Sequence, residues 1–210
     1  YAALGKDFHE KNKKLLGTPF AQFLKLTSEV RTLFKVGEKQ HIAARFMGGV
    51  LWSYGNQTIA PYSEQFYIGG ANSLRAFTVR SIGPGTYNPS QNTKYGYLDQ
   101  TGDIKLEANV EYRFPIFGEL YGATFLDAGN VWLMRKDENR PGGEFSLKNF
   151  VKSIALNTGV GVRYDLTFLV IRLDMGIALH VPYETGKSGY YNIPKFKDGL
   201  GLHFAIGYPF

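Results

Sequence analysis

The fold class this sequence predicts is all-β, with antiparallel strands that span a membrane as part of a barrel. Three observations predict it. Apolar and polar residues alternate with period 2 through seven segments, the pattern of strands that are apolar on one face and wet on the other. The connections between those segments run short, long, short, long, short, long, which suits a barrel with tight turns at one rim and long loops at the other. Finally, 25 Gly, 14 Tyr and 16 Phe accompany a mean hydropathy of only -0.21.

Composition excludes several function classes. There is no cysteine, which removes disulfide frameworks, thiolate zinc sites and a cysteine nucleophile together. The net charge of +6 invites a nucleic-acid partner, but Lys and Arg are spread over loops and strands instead of one block, so no nucleic acid is expected. No stretch approaches the roughly 18 consecutive apolar residues of a transmembrane helix, a test that a membrane barrel escapes.

The elements follow in chain order. Residues Tyr1 to Pro19 are mixed, with Lys11, Lys13 and Lys14 near His9 and Glu10, and read as a solvated loop. A first strand is expected from Ala21 to Val36, with Leu24, Leu26, Val30 and Phe34 opposing Lys25, Thr27, Glu29 and Arg31. After a Gly37-Glu38 turn a second runs from Lys39 to Tyr54, with Phe46, Val50 and Trp52 on one face and Arg45 on the other. The third, Asp103 to Phe114, alternates most cleanly: Ile104, Leu106, Ala108, Val110, Tyr112 and Phe114 against Lys105, Glu107, Asn109, Glu111 and Arg113. A fourth spans Leu120 to Leu133, and a fifth Val151 to Tyr164, after a polar loop. Asp165 turns the chain into a sixth strand carrying Leu169 to Leu179, with Arg172, Asp174 and His180 opposite. The last strand alternates Leu200, Leu202, Phe204, Ile206, Tyr208 and Phe210 with Gly201, His203, Ala205 and Gly207. With short turns facing the periplasm, this strand descends from outside and delivers Phe210 to the periplasmic rim.

The interval from residue 55 to 101 is far longer than an ordinary connection. It contains Gly69-Gly70-Ala71-Asn72-Ser73-Leu74-Arg75-Ala76-Phe77. Two adjacent glycines permit a sharp turn or a close approach, and Arg75 is a cation among small and apolar neighbours. Carried into an interior, such an arginine needs carboxylates.

That stretch resembles the Gly-Gly…Arg-Gly-(Phe/Tyr) motif of the sixth external loop in BamA and TamA-type barrels of the bacterial surface antigen superfamily. Phe125-Leu126-Asp127-Ala128-Gly129-Asn130-Val131-Trp132 is similar to that superfamily's strand motif. The alternation through Phe204, Ile206, Tyr208 and Phe210 is similar to the C-terminal signal of outer-membrane barrels. The resemblance covers nearly all of residues 1–210, as the final seven strands of a sixteen-stranded barrel. It implies that the remaining strands and periplasmic POTRA domains lie outside this chain, and that the external loop 55–101 folds into the lumen. The loop motif then comprises Gly69, Gly70, Leu74, Arg75, Ala76 and Phe77. Asp127 and Glu111 match the wall acids that pair with the arginine, and strand parity independently places both on lumen faces. Glu107 points the same way, and without register it stands beside Glu111. Ala76 departs from the motif's glycine; a position needing φ > 0 would cost alanine about 1 kcal/mol.

The implied activity is insertion or translocation of proteins at the bacterial outer membrane, through a lateral seam whose last strand templates an incoming one. Gly199, Gly201 and Gly207 lower strand propensity there and favour a seam able to open. Expected partners are outer-membrane lipid, nascent outer-membrane or exported proteins, and accessory periplasmic or lipoprotein subunits. A two-partner secretion transporter, a diffusion channel and the barrel module of a fused patatin-like lipase stay open as alternatives. No catalytic, metal or cofactor site is expected in these residues. His9, His41, His180 and His203 are scattered without metal-ligand spacing, Ser73 lies in no Gly-x-Ser-x-Gly elbow, and His203 with Asp174 or Arg172 reads as a hydrogen-bond pair on the lumen face.

Overall fold

A computed structural model of the chain describes residues 14–16, 18–88 and 100–210. Most of the expected N-terminal solvated loop lies outside these residues, as does the segment 89–99 of the long loop. Lys14–Leu15 and Thr18–Pro19 form a two-residue antiparallel pair. The rest is built on one seven-stranded antiparallel sheet in sequential order. Its strands are β1 (Gln22–Gly37), β2 (Gln40–Tyr54), β3 (Ile104–Phe117), β4 (Leu120–Trp132), β5 (Ala155–Asp165), β6 (Val170–His180) and β7 (Leu200–Ile206). Every neighbour in the sheet is a neighbour in sequence, as in an up-and-down meander, and β1 and β7 are its edges.

The two faces differ as the alternation requires. Leu26, Phe46, Val110, Leu126, Val160 and Phe204 stand exposed on one face. An apolar sheet this broad is far larger than water tolerates and suits lipid. The other face is covered from β2 to β6, where Arg45, Glu107, Asn109, Glu111, Asp127, Asn157, Arg163, Arg172 and Asp174 are all buried. The cover is the long loop between β2 and β3. Its apolar residues Phe66, Ile68, Leu74, Phe77 and Ile82 pack with Leu51, Val131, Ala155 and Ala178 of the sheet, and with Val181 just beyond β6, into a hydrophobic core. The loop's ends are stitched together by reciprocal 2.9 Å hydrogen bonds between Phe66 and Gly102.

Three strand ends differ from the sequence reading by more than one residue. β3 runs on to Phe117 instead of stopping at Phe114, with a register shift between Pro115 and Phe117. β5 starts at Ala155 and not at Val151, because Leu147–Asn149 and Phe150–Ser153 wind into consecutive helical turns. These turns stack Phe150 on Trp132, with ring centroids 5.8 Å apart. At the other end, β7 stops at Ile206 and the alternation does not run on to Phe210. Gly207 has φ +87°, a left-handed conformation that breaks the strand and exchanges the faces beyond it. Tyr208 and Phe210 therefore turn toward the covered face, with the Tyr208 ring 4.1 Å from the Arg113 guanidinium and the Phe210 carbonyl 3.3 Å from Arg113 Nη2.

Candidate functional site: a loop cation seated on the wall

The loop tip begins with Gly69 and Gly70, at φ +96° and +91°. A Cβ on Gly69 would lie 2.2 Å from the Thr78 carbonyl oxygen, so the turn needs both the conformation and the missing side chain. It closes through the Gly70 N–H donating to the Phe77 carbonyl at 2.8 Å and the Phe77 N–H donating to that of Leu74 at 3.1 Å. Leu74 sinks into the core, and Arg75 is left facing the sheet, completely buried. Ala76 does not have positive φ. This position makes no demand for glycine, and the strain contemplated for alanine is absent.

Arg75 meets Asp127 on β4 along a fork: Nε donates at 3.0 Å to Oδ2 and Nη2 at 2.9 Å to Oδ1, while its own backbone N–H adds a 3.2 Å bond to Oδ2. Asn109 and Asn157, the direct cross-strand partners of Asp127, each donate a further 3.0 Å bond to it. One carboxylate thus accepts five N–H donors. Nη1 of Arg75 donates to Glu111 on β3, and the guanidinium carbon lies 3.5 Å from the Phe125 ring centroid. Burial works against the charge of Arg75, but Asp127 and Glu111 outweigh it and hold its pKa above the ordinary arginine value. A guanidinium in this position stays charged at every accessible pH.

Glu111 is a hub rather than a private partner. It also accepts from Arg113 Nε at 2.7 Å and Arg163 Nη2 at 3.0 Å. Glu107 belongs to a second clamp: it accepts from Arg45, from Lys105 Nζ at 2.9 Å and from the Ser73 hydroxyl at 2.8 Å, and that hydroxyl in turn accepts the Gly69 N–H at 3.1 Å. Register resolves the pair that parity could not. Glu111 lies directly across from Phe125, beneath the guanidinium, whereas Glu107 lies four residues along β3 and holds the front of the turn.

Sequence reasoning left several members of the site unassigned. Arg45 Nη2 donates to the Asn72 carbonyl at 2.8 Å, and Arg172 Nη1 to the Ala71 carbonyl at 2.9 Å, while Arg172 Nη2 donates to the Asn72 side chain. Arg163 and Arg172 are direct cross-strand neighbours, held together by Asp174. The signal was present, since a cation at a face position of a membrane strand needs a partner, but the loop atoms that supply the partners could not be located from sequence. Asp174 and His203 are in direct register. Of the last-strand signal, Phe204 and Ile206 stand on the exposed apolar face, while Phe210 has its ring centroid 5.3 Å from the Arg45 guanidinium and 5.9 Å from that of Arg75. Among the described residues no cluster of three or more His, Asp or Glu is arranged to hold a metal.

Comparison with known proteins matches this geometry to a family. Over 90 residues, 40% of the chain, the sequence is 32% identical to the outer membrane protein assembly factor BamA of Neisseria meningitidis serogroup B. Over 147 residues, 69% of the chain, it is 27% identical to the human sorting and assembly machinery component 50 homolog. These matches span only 11% and 30% of the two relatives' lengths. The fold resembles BamA from Haemophilus ducreyi lacking POTRA domains 1-3, with a TM-score of 0.60 over 89% of this chain and 35% of that one. It also resembles CdiB from Acinetobacter baumannii, with a TM-score of 0.50 over 89% of this chain and 27% of that one. At 17% identity both likenesses concern the fold alone. The Omp85 superfamily domain model matches residues 12–210, so the chain belongs to the Omp85 superfamily and to the outer membrane.

Proposed function

We propose that this chain is the C-terminal part of a barrel that inserts or assembles other proteins in the outer membrane, and that β7 is the edge on which an incoming strand is templated. The observation that carries this reading is a fully buried loop arginine fixed to wall acids beside a short strand at the edge of the sheet. The loop braces β2 to β6 from inside, so the wall stays rigid while the edge works. β7 pairs with β6 over seven residues, from Leu200 to Ile206, whereas β1 pairs with β2 over fifteen. An edge offers main-chain N–H and C=O groups to a partner, and strand addition satisfies them in a medium that supplies no water to do so. The free edge of β1 pairs in the same way with the remaining strands of the barrel.

The names of the two sequence relatives, an assembly factor and a sorting and assembly component, favour the same reading. Its substrates are nascent outer-membrane or exported proteins, and its accessory partners periplasmic or lipoprotein subunits. The test is photo-crosslinking in the full-length protein, with a photoreactive residue replacing Leu202 on β7. Adducts to nascent outer-membrane proteins are expected, together with slower assembly of those proteins in an Arg75→Ala strain. Absence of adducts with assembly at the wild-type rate overturns the proposal.

A further inference from the structure

The register of the sheet lays five residues in one row across five adjacent strands: Glu111, Phe125, Gly159, Gly176 and Gly201. The guanidinium of Arg75 occupies the first two positions of this row, bonded to Glu111 and stacked on Phe125. Its main chain occupies the last two. A Cβ built on Gly176 would lie 2.4 Å from the Arg75 carbonyl oxygen and 2.6 Å from the Ala76 nitrogen. One built on Gly201 would lie 2.7 Å from that oxygen and 2.9 Å from Ala76 Cα. These are backbone atoms, which cannot swing aside as a side-chain end can. The loop tip thus rests directly on β6 and β7, on two glycines that face each other across the pair.

We infer that Gly176 and Gly201 are the seat of the loop tip and that seating the loop and keeping β7 paired are one linked equilibrium: the tip docks on a floor that exists only while β7 lies beside β6, and β7 is held in place by the tip above it. Arg45 and Arg172 complete the seat as positioning residues. They come from β2 and β6 and grip the carbonyls of Asn72 and Ala71, so the tip is fixed relative to both the braced wall and the strand next to the edge. Linkage is reciprocal. Whatever releases the tip loosens β7, and whatever draws β7 away from β6 destabilises the tip. A substrate strand competing for β7 would therefore be sensed at the external loop. The consequence for substrates rests on the reading of β7 as the working edge, but the linkage is a property of this fold and is measured without substrate.

The experiment is amide hydrogen exchange on the full-length protein in lipid nanodiscs, comparing residues 69–77 with residues 200–206. Arg75→Ala leaves the sequence of β7 intact and is expected to speed exchange in 200–206 as well as in 69–77, each by about tenfold or more. Gly201→Ala is expected to do the same, while Gly48→Ala, whose Cβ would meet only a Leu106 methyl at 3.5 Å, leaves both segments at wild-type rates. In the reverse direction, a disulfide in Met175→Cys/Leu202→Cys, which are direct cross-strand partners, should slow exchange of 69–77 relative to the reduced protein. If Gly201→Ala fails to enter the membrane, Arg75→Ala and the disulfide decide the matter. Release of 69–77 in Arg75→Ala with 200–206 unchanged overturns the inference, as does a disulfide that leaves the loop's exchange unaltered. Linked exchange with no crosslinking of substrate to β7 would sink the functional reading and leave this one standing.

Discussion

Replacing Arg75 by alanine strands one of the carboxylates buried in its company, and the structure says where the cost falls. Glu111 retains Arg113 and Arg163. Asp127 loses three of its five N–H donors in geometry, two of them outright and the backbone one if the tip shifts, and it loses the cation bonded to it; only the neutral amides of Asn109 and Asn157 remain. Removing one partner of a buried pair costs about 3–5 kcal/mol. At a factor of ten for about 1.4 kcal/mol, the ratio of seated to released loop falls by about a hundredfold to a few thousandfold. The apolar core of Ile68, Leu74, Phe77 and Ile82 opposes full release, so the expected result is a raised population of the open loop in a folded sheet. These 210 residues contain no cysteine, so Ala76→Cys, in a background freed of any cysteine elsewhere in the protein, places one reporter at a buried site. Its maleimide labelling is expected to accelerate by about a hundredfold or more when Arg75→Ala is added. Combining Arg75→Met with Asp127→Asn removes the stranded charge and should restore most of the protection. A double variant that labels as fast as Arg75→Ala would refute the reasoning, since an unpaired buried carboxylate would then not be the source of the instability.

Three further outcomes are expected. Gly207→Ala places a side chain at φ +87° where its Cβ would meet nothing within 4 Å, so the cost is backbone strain alone, about 1–3 kcal/mol, read as a lower temperature for the heat-modifiability transition; an unchanged transition contradicts the role given to this residue. Asn192 bonds through its side chain to Val181 N–H and to the carbonyls of Val181 and Tyr183; Asn192→Ala should destabilise the 181–199 connection by about 1–3 kcal/mol and admit protease there first, with the β3–β4 wall still protected. The Arg140 bond holds the Asp137 carboxyl below its ordinary pKa. Its contribution is therefore present above the usual carboxylate range and is lost as pH falls through the lowered value. The pair is partly exposed, so Asp137→Asn should change stability by under about 1 kcal/mol and flatten that small acid-side slope in pH-dependent melting.

The period-2 pattern was enough to determine the strands, their faces and the alternation of short and long connections, because in a membrane sheet each side chain's environment is decided by its parity. Arg75, Asp127 and Glu111 were legible through the motifs they sit in, and parity agreed by placing both acids on the lumen face, where a buried arginine needs them. Parity is blind to level along a strand. It could not separate Glu107 from Glu111, and register alone puts one under the guanidinium and the other under the turn. Local conformation was equally hidden, so Ala76 was credited with a strain it does not have, and Gly207 was counted as part of a strand that it ends, carrying Tyr208 and Phe210 to the opposite face. Gly201 shows the limit best. From sequence it is a weak point in an edge strand; in the folded chain the same missing side chain is the space that the Arg75 main chain fills. An alternating pattern reports only which side of the sheet a residue faces, and what stands opposite it is decided when a segment more than a hundred residues away comes to rest there.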